Sequence, residues 1–264
     1  MANKQYALIT GATSGIGYEL AKLFAKDGYN LIIVARTAQD LERTAGELKQ
    51  NGIEVVTISK DLFQPNAAFE VYAEVKSKGL TVNVLVNDAG QGQHGFFVDT
   101  DVQRDIEIVQ LNITSMMVLT KLFLKDMVAR NEGKILQLAS LASKYPSPLL
   151  AVYAATKAFV LSLSQALVNE LKDTNVTVTA LMPGATDTDF FNKADAENTV
   201  QVQESKLDDP AKVAADGFEA LMKGETKVIS GLKNKVMGTM SNVMPDSLGA
   251  SNMRKTMEES EEQK

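Results

Sequence analysis

Thr10-Gly11-Ala12-Thr13-Ser14-Gly15-Ile16-Gly17 decides the fold. It joins a short apolar run, Tyr6–Thr10, to a segment of helical period, Ser14–Asp27. There Ile16, Leu20, Leu23 and Phe24 share one stripe, and Gly28 supplies the stop. Glycines allow a tight turn and let the backbone approach a pyrophosphate. The helix start adds free N–H groups and the positive end of its dipole. Three glycines alone also describe a plain glycine-rich turn. Placed between a first strand and a first helix, they point to a dinucleotide.

The same alternation continues outward. Further strands are predicted at Asn30–Ala35, Val55–Ser59, Val82–Asn87, Lys134–Ser140, Val176–Met182 and Thr226–Ser230. Each is nearly continuously apolar, as a strand covered on both faces must be. Helices are predicted at Ala38–Lys49, Asn66–Ser77, Asp101–Arg130 and Ala151–Lys172. A last one is capped by Asp209, begins at Pro210 and ends at Gly224. Strand alternating with helix implies right-handed parallel crossovers, hence an α/β fold with a doubly wound, seven-stranded parallel sheet of Rossmann type. With no linker or repeat visible, residues 1–230 read as one nucleotide-binding catalytic domain. Residues 231–264 read as a C-terminal extension, Met-rich and then acidic.

Composition narrows the chemistry. Among 264 residues there is no cysteine and one histidine, His94. Thiol nucleophiles, disulfides and poly-histidine zinc sites are excluded, and no metal site is expected. A net charge of −6 without a basic stripe argues against nucleic-acid binding. No apolar run reaches the ~18 residues needed to span a bilayer. The N-terminus does not read as a secretion signal. A cytoplasmic protein without a membrane partner is therefore expected. Glu258 to Lys264 reads as a solvated, disordered end.

The second strand, Asn30 to Ala35, is followed by Arg36. NAD sites usually carry an acidic residue here for the ribose hydroxyls. Ala35 stands at that position instead. A guanidinium attracts a 2′-phosphate that a carboxylate would repel, so NADP(H) is favoured. A solvated loop arginine is the competing reading, and NAD(H) is not excluded.

Ala151-Val152-Tyr153-Ala154-Ala155-Thr156-Lys157 opens the second long helix. Positions i and i+4 share a face, so Tyr153 and Lys157 can converge on one ligand. A free tyrosine, with a pKa of about 10, is a poor acid–base near neutrality. A nearby ammonium would lower that value. Spacing alone does not separate such a pair from a chance one.

Several motifs in order do. The chain resembles the short-chain dehydrogenase/reductase family from roughly Tyr6 to Ser230. Gly11, Gly15 and Gly17 match its cofactor turn. Asn87-Asp88-Ala89-Gly90 resembles its Asn-Asn-Ala-Gly segment. Ser140 lies thirteen positions before Tyr153, the family spacing, and Pro183-Gly184 follows the sixth strand. The resemblance implies that Ser140 holds the substrate oxygen and that Tyr153 gives or takes the proton. It implies that Lys157 binds the nicotinamide ribose and tunes Tyr153, and that Asn112 supports a water-linked relay. Gly11, Thr13, Ser14, Gly15, Ile16 and Gly17 would cradle the cofactor. Asp61 and Leu62 would flank the adenine, with Asn87, Ala89 and Gly90 along the cofactor path. Pro183, Gly184, Thr186 and Thr188 would meet the carboxamide, and Arg36 would select NADP. The family also suggests a homodimer or homotetramer built on the helices of Asn112 and Tyr153. Asp88 departs from the pattern by adding a negative charge beside the cofactor.

Three features lie outside the motifs. Phe190 to Asp209 reads as a long, polar, strandless lid whose Phe190 and Phe191 are candidate walls. Met237, Met240, Met244, Met253 and Met257, with Val236 and Val243, make a Met-rich tail broken by Gly238. Such a tail can close the pocket, join copies of the chain, or pack as core. His94 can touch substrate or sit solvated in its loop. The leading expectation is an NADP(H)-dependent reductase or dehydrogenase acting on an apolar or acyl-bearing carbonyl or alcohol. Its rival is a non-catalytic NADP(H)-sensing protein of the same fold.

Overall fold

The seven apolar runs form one parallel sheet: β1 (Tyr6–Thr10), β2 (Asn30–Ala35), β3 (Val55–Ser59), β4 (Val82–Asn87), β5 (Gly133–Leu138), β6 (Val176–Met182) and β7 (Lys227–Ile229). Their order across the sheet is β3-β2-β1-β4-β5-β6-β7. In this computed structural model, residues 5–241 and 244–260 are described. The first four residues, Val243 of the Met-rich tail and the last four residues of the acidic end lie outside them.

Period-two alternation divides the strand residues between two cores. On β1, Ala7 and Ile9 face Leu20, Phe24 and Ile33. Tyr6 and Leu8 face Ile32, Leu85 and Phe123. The helices that cover these faces are α1 (Gly15–Lys26), α2 (Ala38–Leu48), α3 (Ala67–Ser77), α4 (Val102–Val109), α5 (Met116–Ala129), α6 (Ala151–Glu170) and, after two short helices, α9 (Pro210–Lys223). The order reverses between β1 and β4, where Thr10 stands beside both Val34 and Asn87. Crossovers leave in opposite directions there, which opens a crevice at the carboxyl ends of the strands.

Four elements differ from expectation. β5 stops at Leu138, and Ser140 instead caps a short 3₁₀ turn, Leu141–Lys144, its Oγ accepting the Ala142 N–H at 3.1 Å. The long helix expected over Asp101–Arg130 contains a π turn, Gln110–Ser115, between α4 and α5. Within it the Ser115 hydroxyl donates to the Leu62 carbonyl at 2.6 Å. The expected strandless lid contains α7 (Phe190–Lys193) and α8 (Val200–Gln203). Gly238 does not break the tail: α10 (Leu232–Met240) runs through it, and its lack of a side chain lets the helix lie close to Ile229, which a Cβ there would meet at 2.5 Å. A final helix, α11 (Asp246–Met257), follows.

Two helical stretches, Val102–Ala129 and Ala151–Glu170, are long and apolar enough to cross a membrane by length and composition. Counting unbroken apolar runs misses them, because scattered polar residues interrupt each one. Here α5 lies against β4 and β5, and α6 against β5 and β6.

Candidate active site

A cavity of about 470 Å³ opens at the carboxyl ends of the central strands. Seventeen of the twenty candidate residues line it: Gly11, Thr13, Ser14, Gly15, Ile16, Arg36, Asp61, Leu62, Ala89, Gly90, Ser140, Tyr153, Lys157, Pro183, Gly184, Thr186 and Thr188. Gly17, Asn87 and Asn112 do not.

The glycine turn has the backbone its sequence demands. Gly11 and Gly15 take φ of +72° and +56°, a left-handed region costly for other residues. The Gly11 N–H donates to Val34 at 3.0 Å, tying the turn to β2. A Cβ on Gly15 would lie 3.0 Å from Cγ2 of Thr188, so the turn and the loop after β6 face each other closely. Gly17 lies beneath. A Cβ there would stand 2.4 Å from Oδ2 of Asp88 and 2.5 Å from the Gly11 carbonyl.

Arg36 lies over the Phe63 ring, 5.4 Å from its centroid, and Arg104 lies 4.9 Å from the same centroid. Phe63, Thr37 and Lys60 also line this end of the cavity. Lys60 is paired with Glu70 at 2.7 Å, which leaves Arg36 the better placed cation for an incoming phosphate.

Asn87 and Asn112 brace rather than line the cavity. Asn87 Nδ2 donates to Thr120 Oγ1 and Gln137 Oε1, both at 3.0 Å, within the buried core. Its side-chain amide is thereby held in the frame behind the cavity rather than on its wall. Asn112 Nδ2 donates to the Gln91 carbonyl at 2.8 Å and to Thr156 Oγ1 at 3.0 Å. Its Oδ1 accepts the Gln91 N–H at 3.0 Å. The amide therefore holds the loop after β4 against α6.

At the inner end, Ser140 hydrogen-bonds the phenol of Tyr153. Lys157 Nζ lies 5.7 Å from the Tyr153 ring centroid and donates to the Leu138 carbonyl at 2.7 Å. Burial pushes Tyr153 up to about 12; the Ser140 bond acts downward and the Asp88 charge upward. Burial pushes Lys157 down to about 8, against the pull of Asp88. The expected lowering of Tyr153 by Lys157 is not seen in the chain alone. The ammonium is bonded to a carbonyl, and the phenol is held by serine.

The rest of the cavity is apolar. Leu141, Tyr145, Leu150, Phe190, Met237 and Met257 line it. The Phe190 ring lies 4.8 Å from that of Tyr153. Met237, Met253 and Met257 reach the cavity, whereas Met240 is exposed, so the tail closes the pocket with part of its stripe. His94 is neither a lining residue nor a solvated one: its Nε2 bonds the Met257 carbonyl at 2.7 Å, and its N–H bonds Ala194 at 2.7 Å. Val200 N–H donates to Glu258 and Ser260 N–H to Asn198, each at 2.9 Å, fastening the lid to the tail.

Asn234 gave no sequence signal. It donates to Asp208 Oδ2 at 2.7 Å and to the Ser230 carbonyl at 2.8 Å, and a Cβ on Gly184 would strike it at 2.5 Å. It clasps the tail to the loop after β6, fifty positions earlier in the chain. No pattern of local period could reveal that.

A dinucleotide-type α/β sheet with serine, tyrosine and lysine at one end of a single cavity defines the class. Residues 5–199 match the short chain dehydrogenase family, and the chain belongs to it. It is 36% identical over 185 residues to a very-long-chain 3-oxoacyl-CoA reductase of Anas platyrhynchos, covering 67% of this chain and 58% of that protein. The chain thus spans little more than half the length of that relative. Among solved structures it is similar to a short-chain dehydrogenase from Sphingobium yanoikuyae in complex with NADPH, with a TM-score of 0.81, 28% identity and coverage of 91% and 95% of the two chains. A bulky-bulky ketone specific alcohol dehydrogenase from Comamonas testosteroni matches with a TM-score of 0.76, 29% identity and coverage of 90% and 93%.

Proposed function

We propose that this chain is an NADP(H)-dependent oxidoreductase that interconverts a ketone and an alcohol, with an apolar or acyl-bearing substrate. The observation that carries the reading is the convergence of Ser140, Tyr153 and Lys157 at one end of a cavity that reaches the glycine turn and Arg36. The cradle fits a dinucleotide: Gly11 and Gly15 hold left-handed backbone conformations that let a ligand approach the main chain at the start of α1 closely. Bound there, the nicotinamide supplies or accepts the hydride.

The residues of the chain do the rest. Ser140 Oγ accepts the Ala142 N–H and can give its own proton to a substrate oxygen. Tyr153 transfers a proton to that oxygen in reduction and removes one in oxidation. Lys157 holds a positive charge that favours the phenolate formed in reduction. The wall of Leu141, Phe190 and Met257 excludes water from an apolar chain. The relative named as a 3-oxoacyl-CoA reductase supports an acyl ketone. Exposed Val102, Ile106 and Phe159 on α4 and α6 support a homodimer or homotetramer. The packing of α5 and α6 on the sheet supports reading both as helices of the domain.

NADPH absorbance decay against ketones, including 3-oxoacyl thioesters, tests the activity. Binding of NADPH without turnover of any ketone, aldehyde or alcohol would favour a sensing protein instead. In the same assay Arg36→Ala should weaken NADPH roughly 10- to 100-fold, the worth of a charged hydrogen bond, and leave NADH nearly unchanged. Equal losses for both would reject Arg36 as the selector.

The pH dependence follows from the lysine. Tyr153, at about 12, stays protonated through the working range. Lys157, at about 8, is charged below that pH and neutral above it. The kcat/KM for NADPH in ketone reduction, which reports the free chain, should therefore fall as pH rises through about 8. A kcat/KM that rises across that interval would contradict the assignment.

A further inference from the structure

The Asp88 side chain is pressed against the glycine turn. A Cβ on Gly11 would lie 2.9 Å from its Oδ2, and one on Gly17 2.4 Å from it. The carboxylate accepts the Gly17 N–H, a donor at the start of α1. Oδ1 is buried and has no hydrogen-bond partner. The Asp88 N–H donates to the Thr10 hydroxyl at 3.1 Å, which fixes the residue at the end of β4. Nothing in the mechanism above uses this carboxylate.

From α6 the carboxylate faces the ammonium of Lys157 and the phenol of Tyr153. From α1 it meets the Gly17 N–H and the positive end of the helix. From β1 it meets the neutral hydroxyl of Thr10. One cation thus opposes one buried anion beneath a cradle shaped for a second anion.

A diphosphate placed on this turn would change that balance. Two negative groups would share one helix N-terminus, and burial would screen little of their repulsion. The carboxylate also already occupies an N–H of that terminus. Neutralising Asp88 removes the like charge and turns its unpartnered oxygen into one end of a donor-bearing carboxyl.

We propose that Asp88 couples cofactor binding to a proton: its carboxylate takes one proton from solvent as the anionic dinucleotide binds, and returns it on release. This rests on the cofactor reading above. The balance is one proton from solvent and one new O–H bond on the carboxyl, with no change in oxidation state. Burial already pushes Asp88 up to about 7, opposed by Lys157, so the free chain stands near the point of protonation. The family's asparagine at this place is the neutral counterpart of the protonated acid.

The test is a binding measurement on the full chain. NADPH is titrated by calorimetry at about pH 8 in buffers of different ionisation enthalpy, for the wild type and for Asp88→Asn. Wild type should take up close to one proton more per site than the variant. Its Kd should rise with pH above about 7 by up to about tenfold per unit, the slope of a single linked proton. Asp88→Asn should bind more tightly there and lack that portion of the slope. An infrared difference spectrum should show a protonated carboxyl appearing on NADPH binding in wild type and absent from the variant. Equal proton uptake by the two proteins, with no such band, overturns the proposal while leaving the cofactor reading intact. Failure of NADPH to bind either protein at any pH overturns both.

Discussion

Tyr153→Phe should lower kcat for ketone reduction by about 10²- to 10⁴-fold, the usual worth of positioned proton transfer. The change removes one oxygen and keeps the ring. The ring is what packs 4.8 Å from Phe190, so the wall of the cavity stays in place. The glycine turn and Arg36 are untouched, and NADPH should bind within about twofold of wild type. Ser140 loses the phenol but keeps the Ala142 N–H at 3.1 Å, so the oxygen anchor remains oriented. The loss should therefore fall on kcat, because a group that acts on the transferred proton contributes only in the transition state. The measurement is steady-state turnover together with NADPH affinity by fluorescence. A variant that turns over at full rate would remove Tyr153 from the mechanism. One that loses NADPH affinity in proportion would make it a cofactor ligand instead.

How far the sequence reaches depends on which force sets each element. β1, β2, β4 and β6 have the bounds that their apolar runs predict, because a strand covered on both faces must be largely apolar, and the edge strand β3 keeps its predicted bounds although Thr57 and Ser59 are exposed. β5 is shorter than its run, because the Ser140 hydroxyl turns back on Ala142 and begins a new turn. The π turn at Gln110–Ser115 has no composition of its own. It exists where Asn112 and Ser115 are pulled onto Gln91 and Leu62 from opposite sides. The lining residues are legible as motifs, since glycine, serine, tyrosine and lysine each carry a local reason for their place. Asn234, His94 and Phe63 are not, because each acts through a partner distant in sequence: Asp208, Met257, and the two arginines over one ring. The tuning of Tyr153 is also invisible to spacing. Four positions along a helix bring Lys157 near, but the Leu138 carbonyl takes its proton donor.

Gly17→Ala should weaken NADPH at least about 100-fold and lower Tm by several degrees, whereas Gly46→Ala should raise Tm by a few. Both glycines lie within helices, Gly17 in α1 and Gly46 in α2. Helix propensity alone predicts a gain of roughly 0.8–1 kcal/mol at each. At exposed Gly46 nothing lies within 4 Å of the added Cβ, so the propensity gain stands. At Gly17 the new methyl group would lie 2.5 Å from the Gly11 carbonyl, which is backbone and cannot rotate aside. It would also lie 2.4 Å from Asp88 Oδ2. Relieving both contacts means displacing Gly11 and the first turn of α1, at an overpacking cost of about 1–3 kcal/mol that outweighs the propensity gain. The same displacement moves the N–H groups offered to the cofactor, and each charge-assisted bond lost costs about 1.5–3 kcal/mol. Thermal melts of the two variants with and without NADPH separate these effects. Wild type and Gly46→Ala should both be stabilised by the cofactor, and Gly17→Ala should not. An undiminished NADPH shift in Gly17→Ala would mean that the turn tolerates the methyl group, so that Asp88 and Gly11 do not hold it as tightly as their distances require.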